Sequence, residues 1–231
     1  MTAAVIVAGH AVLLNPSDPA SDASWSLLNF QRGEPPKYIE HVRCGVEIAR
    51  ADPHALLLFS GGQSRLDAGP RSEAQGYWRI AERAGWFDTA ALAARCTTEE
   101  FARDSFENLL FGICRFREFT GRYPQRVTMV SWRFKERRFD LHRQAIHWPA
   151  ERFAYAGAND PDDLDQALAA ESANTAKYVA DPYSSSAEFR AKREWRNPFR
   201  RQHGYFTSCP ELAPLLGYEG PQTFSGELPW T

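Results

Sequence analysis

The stretch LLLFSGGQ, residues 56–63, says most about the fold. Four consecutive apolar residues that end at a small polar turn are typical of a strand buried on both faces, as in a parallel sheet. A similar stretch, AAVIVAGH, covers residues 3–10. Two such strands predict that the polar residues after each of them lie at one edge of a shared sheet.

Apolar runs alternate with helical patterns up to about residue 180. This alternation predicts an α/β chain with a three-layer Rossmann-like fold, in which a mainly parallel sheet of about five strands has helices on both faces. Residues 14–36 are rich in Pro, Ser, Asp and Gly and predict a long loop. The predicted strands cover residues 3–8, 56–59, 92–96, 127–130 and 153–156, and the predicted helices cover about residues 38–51, 72–84, 104–117, 134–146 and 161–179.

The composition changes at residue 181, where Pro, Arg and aromatic residues become frequent and periodicity is lost. We therefore predict an α/β domain over residues 1–180 and a C-terminal extension over residues 181–231 that packs on it. Trp195, Phe199, Tyr205 and Phe206 favour packing because they need apolar surface to cover them. RNA-binding segments can also be basic and aromatic, but a net charge of −2 and a pI of about 6.3 give no overall field toward nucleic acid or anionic membrane.

The cysteines and the first residues predict the compartment. The four cysteines are scattered, with no C-x-x-C pair and no Cys/His spacing for zinc, which predicts reduced thiols. The first apolar run is too short to span a membrane and has no basic leader before it. We expect a cytoplasmic protein without a membrane partner.

Small or polar residues follow nearly every predicted strand. In open α/β sheets, ligands bind outside the carboxyl ends of the strands, near the point where strand order reverses. The backbone N–H groups of Gly61 and Gly62, completed by the helix start at Ser72 and Glu73, predict an anion-binding cradle. An ordinary strand-exit turn is the alternative. The sequence contains neither a P-loop nor a G-x-G-x-x-G fingerprint.

Carboxylates and an amide cluster around another predicted helix start. Asp104 or Ser105 suits the N-cap, with Glu107 as its capping-box partner, and this explains part of the cluster structurally. It does not explain Glu99, before the helix, or Asn108, in its first turn. Since a carboxylate and an amide at this place can orient a hydroxyl or a water, we predict a function for Glu99. For Asn108, functional and structural roles stay equally favoured.

Basic residues open the helix after the fourth strand. Lys135 and Arg138 are three positions apart and share a helix face close to Ser131, so together they suit a phosphate or carboxylate. A solvated helix face is the alternative. His10 directly follows the first strand and is a candidate proton carrier, although a lone histidine is more often only hydrogen-bonded. A triad of Ser60 or Ser131 with His10 is disfavoured because no G-x-S-x-G turn occurs.

Taken in order, these motifs resemble the YdcF-like (ElyC/SanA/YdcF) domain family. That family has S-G-G, S-E-A, E-x-x-S-x-N-T-x-E-N and then V-T-S followed by a histidine and an arginine. Here SGG stands at 60–62, SEA at 72–74, EEFARDSFEN at 99–108 and VTMVS at 127–131, and the resemblance spans residues 3–157. Asp104-Ser105 replaces Asn-Thr, and Lys135 stands where bacterial members commonly have histidine. With its tail, the chain looks like the branch best represented in fungi.

The resemblance implies a Rossmann-like fold with a charged pocket at the strand ends. Bacterial members are tied to envelope processes, often behind a membrane anchor that this chain is expected to lack. YdcF itself is linked to binding S-adenosylmethionine, and no reaction is firmly assigned to the family. The change to Lys135 implies anion binding rather than proton transfer at that position.

Together the residues predict an enzyme of hydrolase or transferase type that acts on a small anionic metabolite, phosphorylated or nucleotide-like. A non-catalytic nucleotide or S-adenosylmethionine sensor and a scaffold whose tail recruits a partner are the alternatives. S-adenosylmethionine and a divalent ion near Glu99 and Asp104 are the cofactors left open, although no metal-ligand spacing occurs. The predicted catalytic residues are Glu99 and His10, and the predicted ligand-binding residues are Ser60, Gly61, Gly62, Gln63, Ser72, Glu73, Asp104, Ser105, Asn108, Ser131, Lys135 and Arg138.

Overall fold

The computed structural model describes residues 1–220 and 222–231. Strands and helices alternate along most of the described chain. The strands are β1 (Ala3–Ala8), β2 (Val12–Leu13), β3 (Trp25–Ser26), β4 (Ala55–Ser60), β5 (Cys96–Glu99), β6 (Arg126–Ser131) and β7 (Phe153–Gly157). The helices are α1 (Pro35–Ala51), α2 (Glu73–Arg83), α3 (Gly85–Asp88), α4 (Ser105–Thr120), α5 (Glu136–Ala145), α6 (Leu164–Ala180), α7 (Ala187–Trp195), α8 (Tyr205–Ser208) and α9 (Ala213–Leu216).

The five longer strands form one parallel sheet in the order β5-β4-β1-β6-β7. The predicted α/β fold, with a mainly parallel sheet of about five strands and helices on both faces, is confirmed. β1 lies at the centre, where Ala8 is opposite Ser60 of β4 and Val7 is opposite Val130 of β6. The chain moves outward from β1 to β5 and then returns to the other side of β1 for β6 and β7. The strand order therefore reverses between β1 and β6, where open α/β sheets bind ligands.

Alternate residues of the strands separate two apolar layers. Val5 and Val7 face the layer that α1 and α2 cover, whereas Ile6 and Leu58 face the layer that α4 and α5 cover. All four side chains are at most 2% exposed. Burial on both faces explains why these strands appear in the sequence as continuous apolar runs.

The C-terminal extension lies on the α4 side of the sheet. Tyr205 and Trp230 are buried in that layer, and the indole Nε1 of Trp230 donates a hydrogen bond to the Ile146 carbonyl at 2.8 Å. Trp195 and Phe206 remain 55% and 49% exposed. The prediction that the aromatic residues of the extension need cover is therefore wrong for these two.

Two local predictions also differ from the structure. The third strand begins at Cys96, because the apolar residues before it form a 3-10 helix (Ala90–Arg95) in which Leu92 is buried. β5 is an edge strand, and an edge tolerates polar residues such as Thr97 that hide it from an apolar search. The predicted loop 14–36 contains β3, which pairs with β2 in antiparallel fashion. Within the described ranges, no helix has the length and apolar character needed to cross a membrane.

Candidate functional site

A cavity of about 750 Å³ opens at the carboxyl edge of the sheet, where the strand order reverses between β1 and β6. Gly9 and His10 follow β1 into it, and Ser131, at the end of β6, and Trp132 lie beside them. The other walls are formed by the segment 28–37, the first turn of α4, the helices α5 and α6, and the end of α7 in the extension. This volume suits a ligand the size of a nucleotide or a small metabolite.

The structure divides the predicted site residues into two groups. The members that line the cavity are His10, Asp104, Ser105, Asn108, Ser131, Lys135 and Arg138, and those that do not are Ser60, Gly61, Gly62, Gln63, Ser72, Glu73 and Glu99. Only the first group can touch a molecule in the cavity directly. The second group lies around the carboxyl ends of β4 and β5 and the start of α2.

The glycine turn after β4 does not form the predicted anion cradle. The N–H of Gly61 donates to the Glu99 carbonyl at 3.0 Å, and the N–H of Gly62 donates to the Ala102 carbonyl at 2.7 Å. At the start of α2, the N–H of Glu73 donates to the Gly62 carbonyl at 3.0 Å. Since these donors are already used, they cannot bind an anion. The cradle prediction is wrong, and the alternative of a strand-exit turn describes the segment.

The Glu73 side chain explains why glycine is needed here. A Cβ atom on Gly61 would lie 2.7 Å from the Glu73 carboxylate, and Gly61 has φ of +153°. Gly9, after β1, faces the same carboxylate. Ser64 donates a short hydrogen bond to Glu73, and Ser72 caps α2 by accepting from the Gln75 N–H at 3.0 Å. This corner is a closed structural element.

Glu99 is fully buried and does not line the cavity, but the side chains of Ser60 and Asn108 connect it to the cavity by hydrogen bonds. Its carboxylate accepts hydrogen bonds from the N–H groups of Phe101 at 2.7 Å and Ala102 at 3.2 Å. The Ser60 hydroxyl lies 2.8 Å from both a Glu99 oxygen and the Asn108 Oδ1. Burial raises the pKa of Glu99 to about 7.

One hydroxyl proton cannot serve two acceptors, so the protonation of Glu99 decides how this group is arranged. When Glu99 is protonated, it donates to Ser60, and Ser60 donates to Asn108 Oδ1. The amide N–H groups of Asn108 are then free to donate into the cavity that Asn108 lines. Glu99 and Ser60 thus orient Asn108 without touching a ligand themselves.

Asp104 is already bound on both oxygens. It caps α4 by accepting from the Glu107 N–H at 2.9 Å, and it accepts from Arg193 Nε of the extension at 2.7 Å. Burial alone would raise the pKa of Asp104, but the Arg193 guanidinium holds it well below its usual range. Asp104 therefore ties the extension to α4 and is not free to bind a ligand.

Ser105 begins α4 and makes a contact that the sequence did not reveal. Its hydroxyl lies 2.8 Å from Nε2 of His142, and Ser105 lines the cavity. Burial lowers the pKa of His142 to about 3, so this imidazole stays neutral. No residue in the described chain contacts its buried Nδ1 by a hydrogen bond. Without a carboxylate on that nitrogen, the pair lacks the orienting third group of a catalytic triad.

His10 sits in an aromatic corner of the cavity. Its ring centroid lies 5.5, 5.1 and 5.8 Å from those of Tyr38, His41 and Trp132, and its Nε2 is 3.4 Å from the Ser131 hydroxyl. Burial, followed by the charge of Lys135, holds the pKa of His10 well below its ordinary value. His10 is therefore neutral, and the same lowering makes it a weaker proton acceptor than an ordinary histidine unless a bound anion offsets the charge of Lys135.

The predicted pair of cations behaves as two different groups. Arg138 forms a buried two-point ion pair with Glu171, with Nε donating at 2.9 Å, so its charge is compensated. Lys135 makes no ion pair or hydrogen bond with any residue that the structure describes, and its Nζ lies 5.5 Å from the Phe134 ring. Burial, and then Arg138, lowers the pKa of Lys135 to about 7.

The extension contributes three cavity residues that the sequence analysis missed: Lys192, Trp195 and Arg196. Burial, and then Arg196, lowers the pKa of Lys192 to about 8. The spacing of these residues at i, i+3 and i+4 places them on one helix face, and that spacing was the available signal. Nothing in the sequence indicates which surface this face meets.

The carboxylates near the cavity do not suit a divalent ion. In residues 1–220 and 222–231, no three His, Cys, Asp or Glu side chains form a group that could hold a metal. Glu99 and Asp104, the carboxylates considered for this role, already accept the hydrogen bonds given above. The four cysteines are free thiols, and none lines the cavity.

These features define an α/β protein with a Rossmann-like sheet and a cation-lined cavity where the strand order reverses. No family model matches the chain, and no solved structure matches it. The chain is similar to an uncharacterized protein of Saccharomyces cerevisiae, YOR238W, with 26% identity over 98% of this chain and 96% of the yeast protein. That coverage includes the C-terminal extension as well as the sheet.

Proposed function

We propose that this protein is an enzyme of hydrolase or transferase type that acts on a small anionic metabolite, phosphorylated or nucleotide-like, in the cavity between β1 and β6. One observation carries the proposal: Lys135, Lys192 and Arg196 converge on the cavity, and no carboxylate of the described chain pairs with them. Burial and a neighbouring cation, Arg138 for Lys135 and Arg196 for Lys192, disfavour the charged lysines, and a bound anion would offset this effect.

In this proposal His10 accepts the proton. A neutral imidazole beside the bound anion can take a proton from an attacking water or hydroxyl group. Asn108, Ser105 and Ser131 line the cavity and supply polar groups that orient the substrate. Glu99 acts as a positioning residue through Ser60 and Asn108, in place of the direct base that the sequence suggested.

We also propose that the chain is a divergent YdcF-like (ElyC/SanA/YdcF) domain. Contacts among the residues that carry the resemblance support this: the Ser60 hydroxyl lies between Glu99 and Asn108, and Glu73 lies against Gly61. S-adenosylmethionine then joins nucleotides and sugar phosphates among the candidate ligands. A cytoplasmic location stays a prediction.

A non-catalytic nucleotide or S-adenosylmethionine sensor is the second candidate. The observation that favours it is that neither predicted catalytic residue is a strong base in the cavity. Glu99 does not line the cavity, and the pKa of His10 is lowered. A sensor needs the cations but no base.

Ligand binding is tested first, by thermal unfolding of the full chain with nucleotides, sugar phosphates and S-adenosylmethionine. A compound that binds the folded state at a hundred times its Kd adds about 2.7 kcal/mol to its stability, a shift of several degrees. Lys135→Met should weaken a phosphorylated hit at least tenfold. Arg137→Met is the matched control, because Arg137 is an exposed cation two residues away that does not line the cavity. An unchanged affinity in Lys135→Met would contradict the proposed site.

Turnover separates the two candidate functions. The phosphorylated hits are incubated with the protein, with and without Mg²⁺, and release or transfer of the phosphoryl group is followed. For an enzyme, His10→Asn should lower kcat at least a hundredfold while the Kd for the substrate changes less than threefold. Binding without turnover of any hit would reject the enzyme and leave the sensor.

A further inference from the structure

The end of α7 contributes two of the three partly buried cations of the cavity that have no ion-pair partner in the described chain. Lys192 lies in α7, and Arg196, four positions later, is the residue directly after the helix, so both lie on the same side of it. Both line the cavity, as does Lys135, which follows β6. The cationic site is thus made half by the α/β domain and half by the extension.

These cations do not attach the extension to the domain. Arg193 makes that attachment, because it donates to Asp104 at 2.7 Å and lies 3.3 Å from a Glu107 oxygen. Lys192 forms no ion pair or hydrogen bond with the described residues, and its ammonium group lies 5.9 Å from the Phe189 ring. Arg196 donates one hydrogen bond, to the Arg103 carbonyl at 3.1 Å.

Two observations indicate that a ligand completes this half. The Nε of Arg196 is buried and has no hydrogen-bond partner in the described parts of the chain. A buried donor without a partner is unfavourable, and a hydrogen bond to a ligand oxygen would offset that cost. Burial and the charge of Arg196 also lower the pKa of Lys192 to about 8, so the ammonium group gains from a nearby anion.

The cations of the lining lie in two parts of the chain, and this indicates what the ligand carries. Lys135 follows β6, and Lys192 and Arg196 lie at the end of α7; all three are partly buried and have no ion-pair partner in the described chain. The other cations of the lining are exposed (Arg32) or paired with a carboxylate (Lys37 and Arg138). Glu34 also lines the cavity and offsets part of the charge of Lys135. A diphosphate ester has one anionic group for each of the two parts, whereas a phosphate monoester has only one group.

We propose that the C-terminal extension forms half of the ligand site and that the ligand carries two adjacent anionic groups, as in a diphosphate ester. One group faces Lys135 at the exit of β6, and the other faces Lys192 and Arg196 on α7. This inference rests on the proposed function, because it names the ligand class of the same cavity. The extension thereby selects diphosphates over monophosphates.

Titration calorimetry of the full chain tests this with two matched pairs of probes: inorganic pyrophosphate against inorganic phosphate, and ADP against AMP. The wild type should bind the diphosphate of each pair at least tenfold more tightly. Lys192→Met and Arg196→Met should each weaken the diphosphates about tenfold and the monophosphates less than threefold. Lys135→Met should weaken all four probes.

Two further variants control for folding and charge. Arg190→Met removes a cation from the exposed side of α7, where Arg190 lies 3.4 Å from Glu219, and should leave all four affinities unchanged. Lys192→Arg keeps the positive charge that Lys192→Met removes, so it should retain most of the preference of the wild type for diphosphates. Thermal unfolding without probes checks that each variant is folded.

The inference and the proposed function fail in different ways. Suppose that the wild type prefers diphosphates and that the Lys192→Met and Arg196→Met variants both keep the same preference. The extension is then not half of the site, whereas the proposed function stands. Equal affinity for both members of each pair, or no binding of any of the four probes, also overturns the inference. The proposed function falls only if the wider panel gives no hit or if Lys135→Met leaves the affinity of a hit unchanged.

Discussion

The two halves of the carboxyl edge of the sheet carry similar residues but use their polar atoms differently. At the ends of β4 and β5, the N–H groups of Gly61 and Gly62 and the carboxylate of Glu99 are all hydrogen-bonded within the protein. At the ends of β1 and β6, the ammonium group of Lys135 has no partner in the described chain and His10 faces a cavity.

Strand order explains the difference between the halves. On the β4 and β5 side, successive connections run the same way, and α2 and the loop before α4 close over the strand ends. Between β1 and β6, the connections leave in opposite directions and a crevice remains. A polar residue after a strand is therefore a site candidate only where the strand order reverses.

The largest expected effect concerns the wall that the extension adds to the open half. Arg193→Met leaves Asp104 and Glu107 buried with one cation fewer, and breaking such a buried pair costs about 4 kcal/mol. Urea unfolding at pH 7 should show this loss, whereas Arg190→Met should stay within about 0.5 kcal/mol of the wild type. The difference in unfolding free energy between the wild type and Arg193→Met should shrink below pH 4. There Asp104, whose pKa is held low by Arg193, becomes protonated, and its favourable interaction with Arg193 is lost. A loss under 1 kcal/mol would mean that the extension is held elsewhere.

A smaller effect tests the closed half through pH. Because burial raises the pKa of Glu99 from 4.5 to about 7, its contribution to stability is full below pH 4.5 and is lost as the pH rises through 7. Between pH 5 and 8, Glu99→Gln should therefore gain roughly 2.5 kcal/mol in unfolding free energy relative to the wild type. The buried histidines affect both proteins equally, so the difference in unfolding free energy is the quantity to measure.

The neighbouring carboxylate provides the control for this experiment. Glu100→Gln changes a half-buried carboxylate one residue away and should follow the wild type across the same pH range. If Glu99→Gln also follows the wild type, Glu99 is ionised throughout and does not donate to Ser60.

The smallest effect tests whether the charge of Lys135, in the open half of the edge, lowers the free energy of unfolding. Burial lowers the pKa of Lys135 to about 7. The contribution of Lys135 to the free energy of unfolding is therefore most favourable above about pH 10.4, the pKa of an ordinary lysine, and is lost as the pH falls toward 7. Lys135→Met should thus raise the unfolding free energy at pH 7 by about 1 kcal/mol, a value reduced by the partial exposure of the side chain. The gain should fade toward pH 10, and Arg137→Met should show none. A loss of stability at pH 7 would mean that Lys135 has a structural partner.

Most of the fold could be predicted because the central strands are buried on both faces. Residues 3–8 and 56–59 show this burial directly as apolar runs. The third strand was misplaced because β5 is a polar edge strand, whereas Leu92 is buried from a 3-10 turn. Apolar patterning reports burial and does not by itself report pairing.

The candidate site could be predicted only in part. The position of His10, Ser131 and Lys135 at or just after the end of a strand correctly predicted that they lie at the cavity. This worked because β1 and β6 end where the strand order reverses, and a crevice forms at that point. The same rule wrongly included Gly61 and Gly62, because the hydrogen bonds that they donate to the carbonyls of Glu99 and Ala102 are not visible in a sequence. It also missed Lys192, because no local pattern tells which surface a distant helix will meet.

The sheet is complete at Gly157, whereas the cavity also needs Lys192 and Arg196. During synthesis, N-terminal segments are made first, so the nascent chain has all five strands of the sheet and its strand reversal before α7 emerges from the ribosome. In the proposed site, ligand binding becomes possible only after α7 has been made, and mass action then stabilises finished chains alone. A chain that stops short of α7 also lacks Tyr205 and Trp230 from the layer on the α4 side, so it loses part of its core together with this protection and is more open to proteolysis in the cell.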